Sequence, residues 1–426
     1  MKSMLDLRRY VRLALKWMTP GMGIKRWFLL LAGGIAILSL GFGFLLREFY
    51  PLPGLFYYLT FQFIPRILRA VIFGLIGVAT VVTALIAINR TLLGPFTEST
   101  PGVLVNAVYQ HHQRGRGPKV VAIGGGHGLS VLLRGLKRYT SNIIAIVTVA
   151  DDGGSSGRLR RDLGVLPPGD FRNCIAALAD NEALTTQLFQ YRFGEGKGLS
   201  GHSFGNLFIT AMAEVTGSFE RAILESGRVL AIQGSVLPST LHDVTLTADL
   251  RTEPVGISRV TGESSITEAE GAIKRVYLNP DNAPAFPGAV QALLKADLIV
   301  AGPGSLYTSV LPNLLVPDIA RAVAASRAFR VYVCNVATQR GETGGYSAGD
   351  HVAALKMHLG DGLFPVVLAN GNLAVDFDAS AGVTLVPANF PPQAKYQRIV
   401  VDLVDPAHPW RHDSNKLAKA LLRLLE

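Results

Sequence analysis

Two adjacent carboxylates, Asp151 and Asp152, follow an apolar run from Ile143 to Val149, and two glycines follow them. Carboxylates at the carboxyl end of a buried strand can hold a ribose hydroxyl or a Mg²⁺ ion carried on phosphates. Upstream, the run Val120–Ile123 breaks at Gly124, Gly125 and Gly126, followed by His127, Gly128, Leu129 and Ser130. Backbone amides at such a turn, aimed along a helix N-terminus, bind anions, most often phosphate. The spacing excludes two common sites. Counting from Gly124 or from Gly126, the sixth position is Leu129 or Val131, not the glycine of a dinucleotide fingerprint, and no lysine follows as a Walker loop requires. A turn that merely lets a helix pack on a strand is the bland alternative, but four glycines exceed what a tight turn needs.

The same logic recurs at Gly302-Pro303-Gly304-Ser305, after the apolar run LIVAG. Two glycine turns from one sheet can hold opposite ends of a nucleotide-linked molecule. Thr338–Thr343 forms a third polar, glycine-punctuated strand end, with Tyr346 beyond it as a residue able to stack on a base or to pack. Asn206 is either a ligand donor or a helix-capping amide, and Asp170 either an acid of the site or an N-cap before Phe171. Arg411, just before the last helix, brings a fixed cation to the sheet edge. Gly201-His202-Ser203-Phe204-Gly205 matches the nucleophile elbow of serine hydrolases, but that motif needs a strand directly before the serine and a glycine-rich loop stands there instead. The two cysteines, Cys174 and Cys334, sit in apolar patterns and read as reduced core thiols; no Cys/His metal spacing occurs.

Positioning these groups needs a sheet. Val120–Ile123, the glycines, a helix with Leu129, Leu132, Leu133 and Leu136 on one face, and Ile143–Val149 make a βαβ unit. A helix with Phe171, Cys174, Ile175 and Leu178 on one face follows, then another after Ser203. The pattern turns strand-like from Gly227 to about Leu278, with Val244, Leu246, Ala248 and Leu250 alternating. A helix over 288–296, strands over 329–336, 364–369 and 398–404, and a last helix from about Ser414 complete the order. The expected fold is α/β, a Rossmann-like, mostly parallel sheet with a β-rich insertion, preceded by two transmembrane helices.

Those helices are read over 27–46 and 70–88, each uncharged, bounded by basic residues and close to the roughly 20 residues that cross a bilayer. Residues 1–118 hold 13 Lys and Arg against three Asp and Glu; the remaining 308 are balanced, with 28 of each. The basic charge therefore marks membrane flanks and gives no sign of nucleic acid. Seven positive residues precede the first span and three lie between the spans, so the N-terminus and the large C-terminal part are expected on the cytoplasmic side of the cell membrane. The expected organisation is a membrane hairpin over 1–90, a linker over 91–118 and a nucleotide-binding domain over 119–426.

Longer blocks carry a family resemblance: GGGHGLSVLLRGLK, VTVADDGGSSGRLR, LPPGDFRNCIAALAD, GHSFGNLF, AGPGSLYTSVLPNLL, CNVATQRGETGGYSAGDH and the late Arg411-His412-Asp413. Together, over about 119–426, the chain resembles the YvcK family of gluconeogenesis factors, related to the 2-phospho-L-lactate transferases of the CofD type. The resemblance implies a Rossmann-like core that binds a nucleotide-linked small molecule, with UDP-sugars the leading class, and a role in cell shape and envelope control. It gives no firm cofactor and leaves open whether any reaction is catalysed; the alternative is transfer of a phosphoryl-linked group in deazaflavin coenzyme synthesis. The candidate ligand-binding residues are Gly124, Gly125, Gly126, His127, Gly128, Leu129, Ser130, Asp151, Asp152, Asn206, Gly302, Gly304, Ser305, Thr338 and Arg411, with Asp151 and Asp152 as candidate Mg²⁺ ligands. Candidate partners are the membrane, envelope proteins and a second copy of the chain. The N-terminal hairpin and a shortened stretch around Gly371–Ala379 stand out against the family.

Overall fold

The structure, a computed structural model, describes residues 33–37, 39, 57–58, 61–93, 113–180, 182–194, 198–252, 256–375 and 383–426. The chain separates into two compact units, Met1–His112 and Gln113–Glu426. In the first, the helix Arg66–Leu93 contains the one segment among the described residues, Arg66–Thr83, that is long and apolar enough to cross a membrane, and none of it is buried. It begins before the expected span of 70–88, with Arg66 and Arg69 already inside it. The other expected span, 27–46, lies mostly outside the described residues; two hairpin-forming spans are therefore not seen.

The second unit is built on a seven-stranded sheet. Its strands are β1 (Val120–Gly124), β2 (Ile143–Val147), β3 (Ser235–Pro238), β7 (Leu298–Ala301), β8 (Phe329–Val333), β9 (Val366–Asn370) and β10 (Gln397–Val401), in the order β10-β9-β8-β7-β1-β2-β3 and all parallel. β1, β7 and β9 are buried along their whole length, as near-continuous Val/Ile/Leu/Ala runs require in a sheet covered on both faces. From β1 the chain winds outward through β2 and β3, then returns to β1's other side at β7 and winds outward the opposite way. The direction reverses between β1 and β7, and ligands of open α/β sheets bind at that reversal, outside the carboxyl ends of the strands.

Between β3 and β7 an insertion folds as a three-stranded antiparallel sheet, β4 (Thr245–Thr252), β5 (Gly256–Thr261) and β6 (Ala272–Asn279), in the order β5-β4-β6. Leu246, Ala248 and Leu250 are its buried row on β4, as the alternation required. The expected strand character from Gly227 is wrong at its start. Gly227 lies inside the helix Phe219–Val229, where a Cβ would meet the Ile232 side chain at 2.8 Å. The glycine is there for close packing rather than as a breaker. β2 likewise ends two residues early, because Thr148 folds back and accepts the Ala150 amide on its hydroxyl.

The helix Gly126–Leu136 buries Leu129, Leu132, Leu133 and Leu136 against the sheet. Its Gly135 touches the backbone of Ser414, so the last helix, Ser414–Leu422, packs directly on the first. Cys174 and Cys334 are buried free thiols, and burial pushes both well above the usual thiol range.

Candidate functional site

At the β1/β7 reversal lies a cavity of about 820 Å³. The turn after β1 brings Gly125, Gly126, His127 and Gly128 to it; the turn after β7 brings Pro303, Gly304 and Ser305. The end of β2 supplies Asp151, and the segment after β8 supplies Asn335 to Arg340, Thr338 included. Trp410, Arg411 and His412 close one side, and Glu263 comes from the inserted subdomain.

The glycines of the first turn have separate jobs. Gly126 has φ +63°, a left-handed conformation that costs a side chain roughly 1–2 kcal/mol. A Cβ on Gly128 would lie 2.7 Å from the Pro303 carbonyl oxygen and 2.9 Å from Gly304 Cα, so this glycine lets the two turns touch. A Cβ on Gly125 would strike the Asp170 carboxylate. Gly124 is roomier, with nothing nearer than 3.8 Å; its carbonyl accepts from Asn313 Nδ2 at 2.9 Å, and it does not line the cavity. Much of the glycine excess therefore serves close approach within the protein.

Asp170 is neither an N-cap nor exposed. Pro168 holds the N-cap position of the helix Gly169–Leu178, and the Asp170 carboxyl instead accepts the backbone N–H of Gly126. The turn expected to present its amides to phosphate thus already holds a carboxylate of its own. Burial, then repulsion from Asp151, raise the Asp170 pKa to about 7, against the opposing Gly126 hydrogen bond and Arg172. Glu263 is pushed up to about 9, by burial first and then by Asp151 and Asp170. A hydrogen bond between Glu263 and Asp151 pushes in the same direction. Three acids therefore stand close together on one floor.

The second turn is clasped from β8. Asn335 Oδ1 accepts the Gly304 amide at 3.0 Å while its Nδ2 donates to the Gly304 carbonyl at 2.9 Å. Gln339 Nε2 donates to Ser305 Oγ at 2.6 Å. Gly302 adopts φ +79°, and its Cβ would meet the Val333 carbonyl; it shapes the turn without lining the cavity. Thr338 lines the cavity, its hydroxyl accepting the Thr384 amide at 2.9 Å. His127 is held below the ordinary imidazole range, by burial first and then by Arg411, Arg172 and Arg134. Arg340 and Arg411 are exposed at the rim and form no ion pair among the described residues.

Several expected contacts fall elsewhere. Leu129 is wholly in the core. Ser130 Oγ bonds back to the Gly126 carbonyl at 3.0 Å. Asp152 turns away from the cavity: its Oδ1 takes the Ser264 amide at 2.9 Å and hydroxyl at 2.7 Å, pinning the inserted helix Glu263–Glu268 over the sheet. Asn206 is buried behind the site, donating to Ser155 Oγ at 3.1 Å and Ser156 Oγ at 3.4 Å, and neither lines the cavity nor caps its helix, which Ser203 does. Among the described residues no strand directly precedes Ser203, whose hydroxyl accepts from Arg172 at 2.7 Å, so the elbow geometry is not formed there. Tyr346 bonds Tyr307 and lies outside this cavity. The shortened stretch around Gly371–Ala379 falls partly outside the described residues. Sequence reasoning missed Glu263, Asn335 and Trp410, of which only Trp410, beside Arg411, carried a local signal; Gln339 lies in the Thr338–Thr343 stretch already singled out.

The architecture has known relatives. The sequence model of the family described as 2-phospho-L-lactate transferase CofD matches residues 120–426. A Bacillus subtilis gluconeogenesis factor is 45% identical over 331 residues, covering 73% of this chain and 99% of its own. A Deinococcus radiodurans relative is 38% identical over 433 residues, 98% of this chain and 91% of its own, so the N-terminal segment, which the shorter Bacillus subtilis protein does not match, is aligned in this longer relative. A Bacillus halodurans protein of known crystal structure superposes with a TM-score of 0.67 at 45% identity, covering 72% of this chain and all of that one. Identity at this level over almost the whole second unit, on the same sheet, settles the family: the chain belongs to the gluconeogenesis factors, the YvcK branch of the CofD family.

Proposed function

We propose that the cavity binds a nucleotide-linked sugar, with UDP-sugars as the ligand class, and that the chain is a regulator of cell shape and envelope synthesis rather than an enzyme. The observation that carries this reading is the mixed lining of the cavity at the β1/β7 reversal. Val336, Ala337, Val383 and Trp410 offer apolar and aromatic surface for a base. Arg134, Arg340 and Arg411 supply cations for a diphosphate. Asp151 and Glu263 offer acceptors and donors for sugar hydroxyls. Purified full-length protein is expected to melt at higher temperature with UDP-glucose or UDP-N-acetylglucosamine and not with NAD, since a ligand at 100 times its Kd stabilises by about 2.7 kcal/mol. The absence of a shift with every uridine nucleotide would rule the reading out.

The acidic floor supports a second reading, a transferase that uses Mg²⁺. Among the described residues no cluster of three or more His, Cys, Asp or Glu is arranged to enclose a metal ion. One or two of these carboxylates together with a ligand's phosphates would nevertheless suit Mg²⁺, which rarely has an all-protein cage. Bound there, the ion would offset charge on the phosphates. Asp151 is the discriminating residue, since Asp152 is committed to Ser264. In a binding protein Asp151→Asn weakens UDP-sugar binding by roughly 1.5–3 kcal/mol, the worth of one charge-assisted hydrogen bond. Multiple turnover of a GTP- or UDP-linked donor with a deazaflavin acceptor, seen by mass spectrometry and lost in Asp151→Asn, would instead establish the enzyme.

We also propose that the first unit anchors the chain in the cell membrane as a hairpin, with the second unit in the cytoplasm. The support is the apolar Arg66–Thr83 segment and the basic flanks. Because both native cysteines are buried, thiol labelling has little background. Tyr10→Cys and Arg114→Cys are expected to label only from the cytoplasmic side; labelling from opposite sides excludes a two-span hairpin.

A further inference from the structure

A second cavity, of about 510 Å³, lies between the inserted sheet and the helix Ala348–Leu359, and it shares no lining residue with the first. Its volume is within the range of small-molecule sites, roughly 300–1,000 Å³. Ile257 and Met357 face it while 61% and 49% exposed, so water covers apolar surface that an occupant would bury. Tyr307 and Tyr346 form the deep side, their hydroxyls 2.9 Å apart. One hydroxyl donates to the other, which leaves the pair a second proton to donate. Arg251 and Lys274 stand on the same lining. Among the described lining residues the one carboxylate is Asp350, held by the Ser347 amide and hydroxyl at 2.8 and 2.7 Å in a capping box. The cavity thus combines apolar walls, a phenol donor and two cations against that single carboxylate.

We propose that this cavity binds a small amphiphilic anion: an apolar or aromatic body carrying one carboxylate or phosphate. The body lies against Ile257, Met357 and the tyrosine rings, and the anionic group meets Lys274 and Arg251. Burial of the body and pairing of the charge are both needed, because an exposed ion pair alone contributes little. The pocket also reaches the first site through the chain: Tyr307 belongs to the π-helical turn Leu306–Val310, whose neighbour Ser305 and member Ser309 line the first cavity.

The probe is 1-naphthyl phosphate, with 1-naphthalenemethanol as its neutral counterpart. Met357→Cys places one accessible thiol at the mouth in the full-length protein, both native cysteines being buried. At ten times its Kd, 1-naphthyl phosphate is expected to slow maleimide alkylation of that thiol about tenfold, as fractional occupancy dictates. Ile257→Cys serves as a second reporter, and Val215→Cys, 82% exposed and far from the lining, is not protected. Lys274→Glu removes the protection and the neutral compound gives little. Alkylation of both reporters unchanged by millimolar 1-naphthyl phosphate, equal slowing at Val215→Cys, or equal protection by the neutral compound overturns the proposal.

Discussion

Replacing Gly128 by valine is expected to destabilise the second unit by about 1–3 kcal/mol, the usual cost of forcing carbon into a packed site, and to abolish UDP-sugar-dependent stabilisation. The reason is where the new atoms go. The Cβ position already lies 2.7 Å from the Pro303 carbonyl oxygen, 2.8 Å from its carbon and 2.9 Å from Gly304 Cα. All three are backbone atoms, and the Gly304 amide and carbonyl are both fastened to Asn335, so the second turn cannot retreat without breaking two hydrogen bonds. The two turns must separate, and with them the opposite walls of the cavity. Gly124→Ala is the matched control, since its Cβ meets nothing closer than 3.8 Å. Urea unfolding and a thermal shift with UDP-glucose measure the two effects. A Gly128→Val protein as stable as the parent would show that the turns are not in contact in solution.

Changing Asp170 to asparagine is expected to remove a pH dependence. Burial and Asp151 raise the Asp170 pKa from 3.8 to about 7, so the folded chain keeps a proton that the unfolded chain releases. The sign follows: the stability from this proton is complete below pH 3.8, declines as the pH rises toward 7, and is gone above it. Ligand binding inherits the same sign. Below pH 7 the acid is neutral and tolerates a phosphate near the first turn; above it, a buried negative charge sits on the Gly126 amide and repels one. UDP-glucose affinity measured in EDTA is expected to fall about tenfold between pH 6 and pH 8, as a single protonation near 7 requires. Asp170→Asn keeps the shape and stays neutral, so its affinity is flat over that range and higher at pH 8. Titration calorimetry at several pH values decides it; an equal slope in both proteins would mean that another group carries the dependence.

By itself the sequence determined the elements and the edge of the sheet at which chemistry must lie. Runs such as Val120–Ile123 and Leu298–Ala301 are unbroken and apolar because a strand covered on both faces has no polar side to show, and each stops at glycine, where the backbone must turn. That placed the turns at Gly124–Gly128 and Gly302–Ser305, together with Asp151 at the end of β2, at a common edge before any geometry was known. The sequence could not decide which of these groups were already engaged. Gly125 accommodates Asp170 from 45 residues on, Asp152 is taken by Ser264 from the insertion, and Asn206 is spent on Ser155 and Ser156. Nor did any local pattern announce Glu263, whose role arises only because the insertion folds back over the reversal between β1 and β7. A hydrogen bond or a carboxyl pKa depends on the few ångströms around a group. Periodicity fixes which face a residue occupies, whereas only the packing of distant segments fixes what stands opposite it.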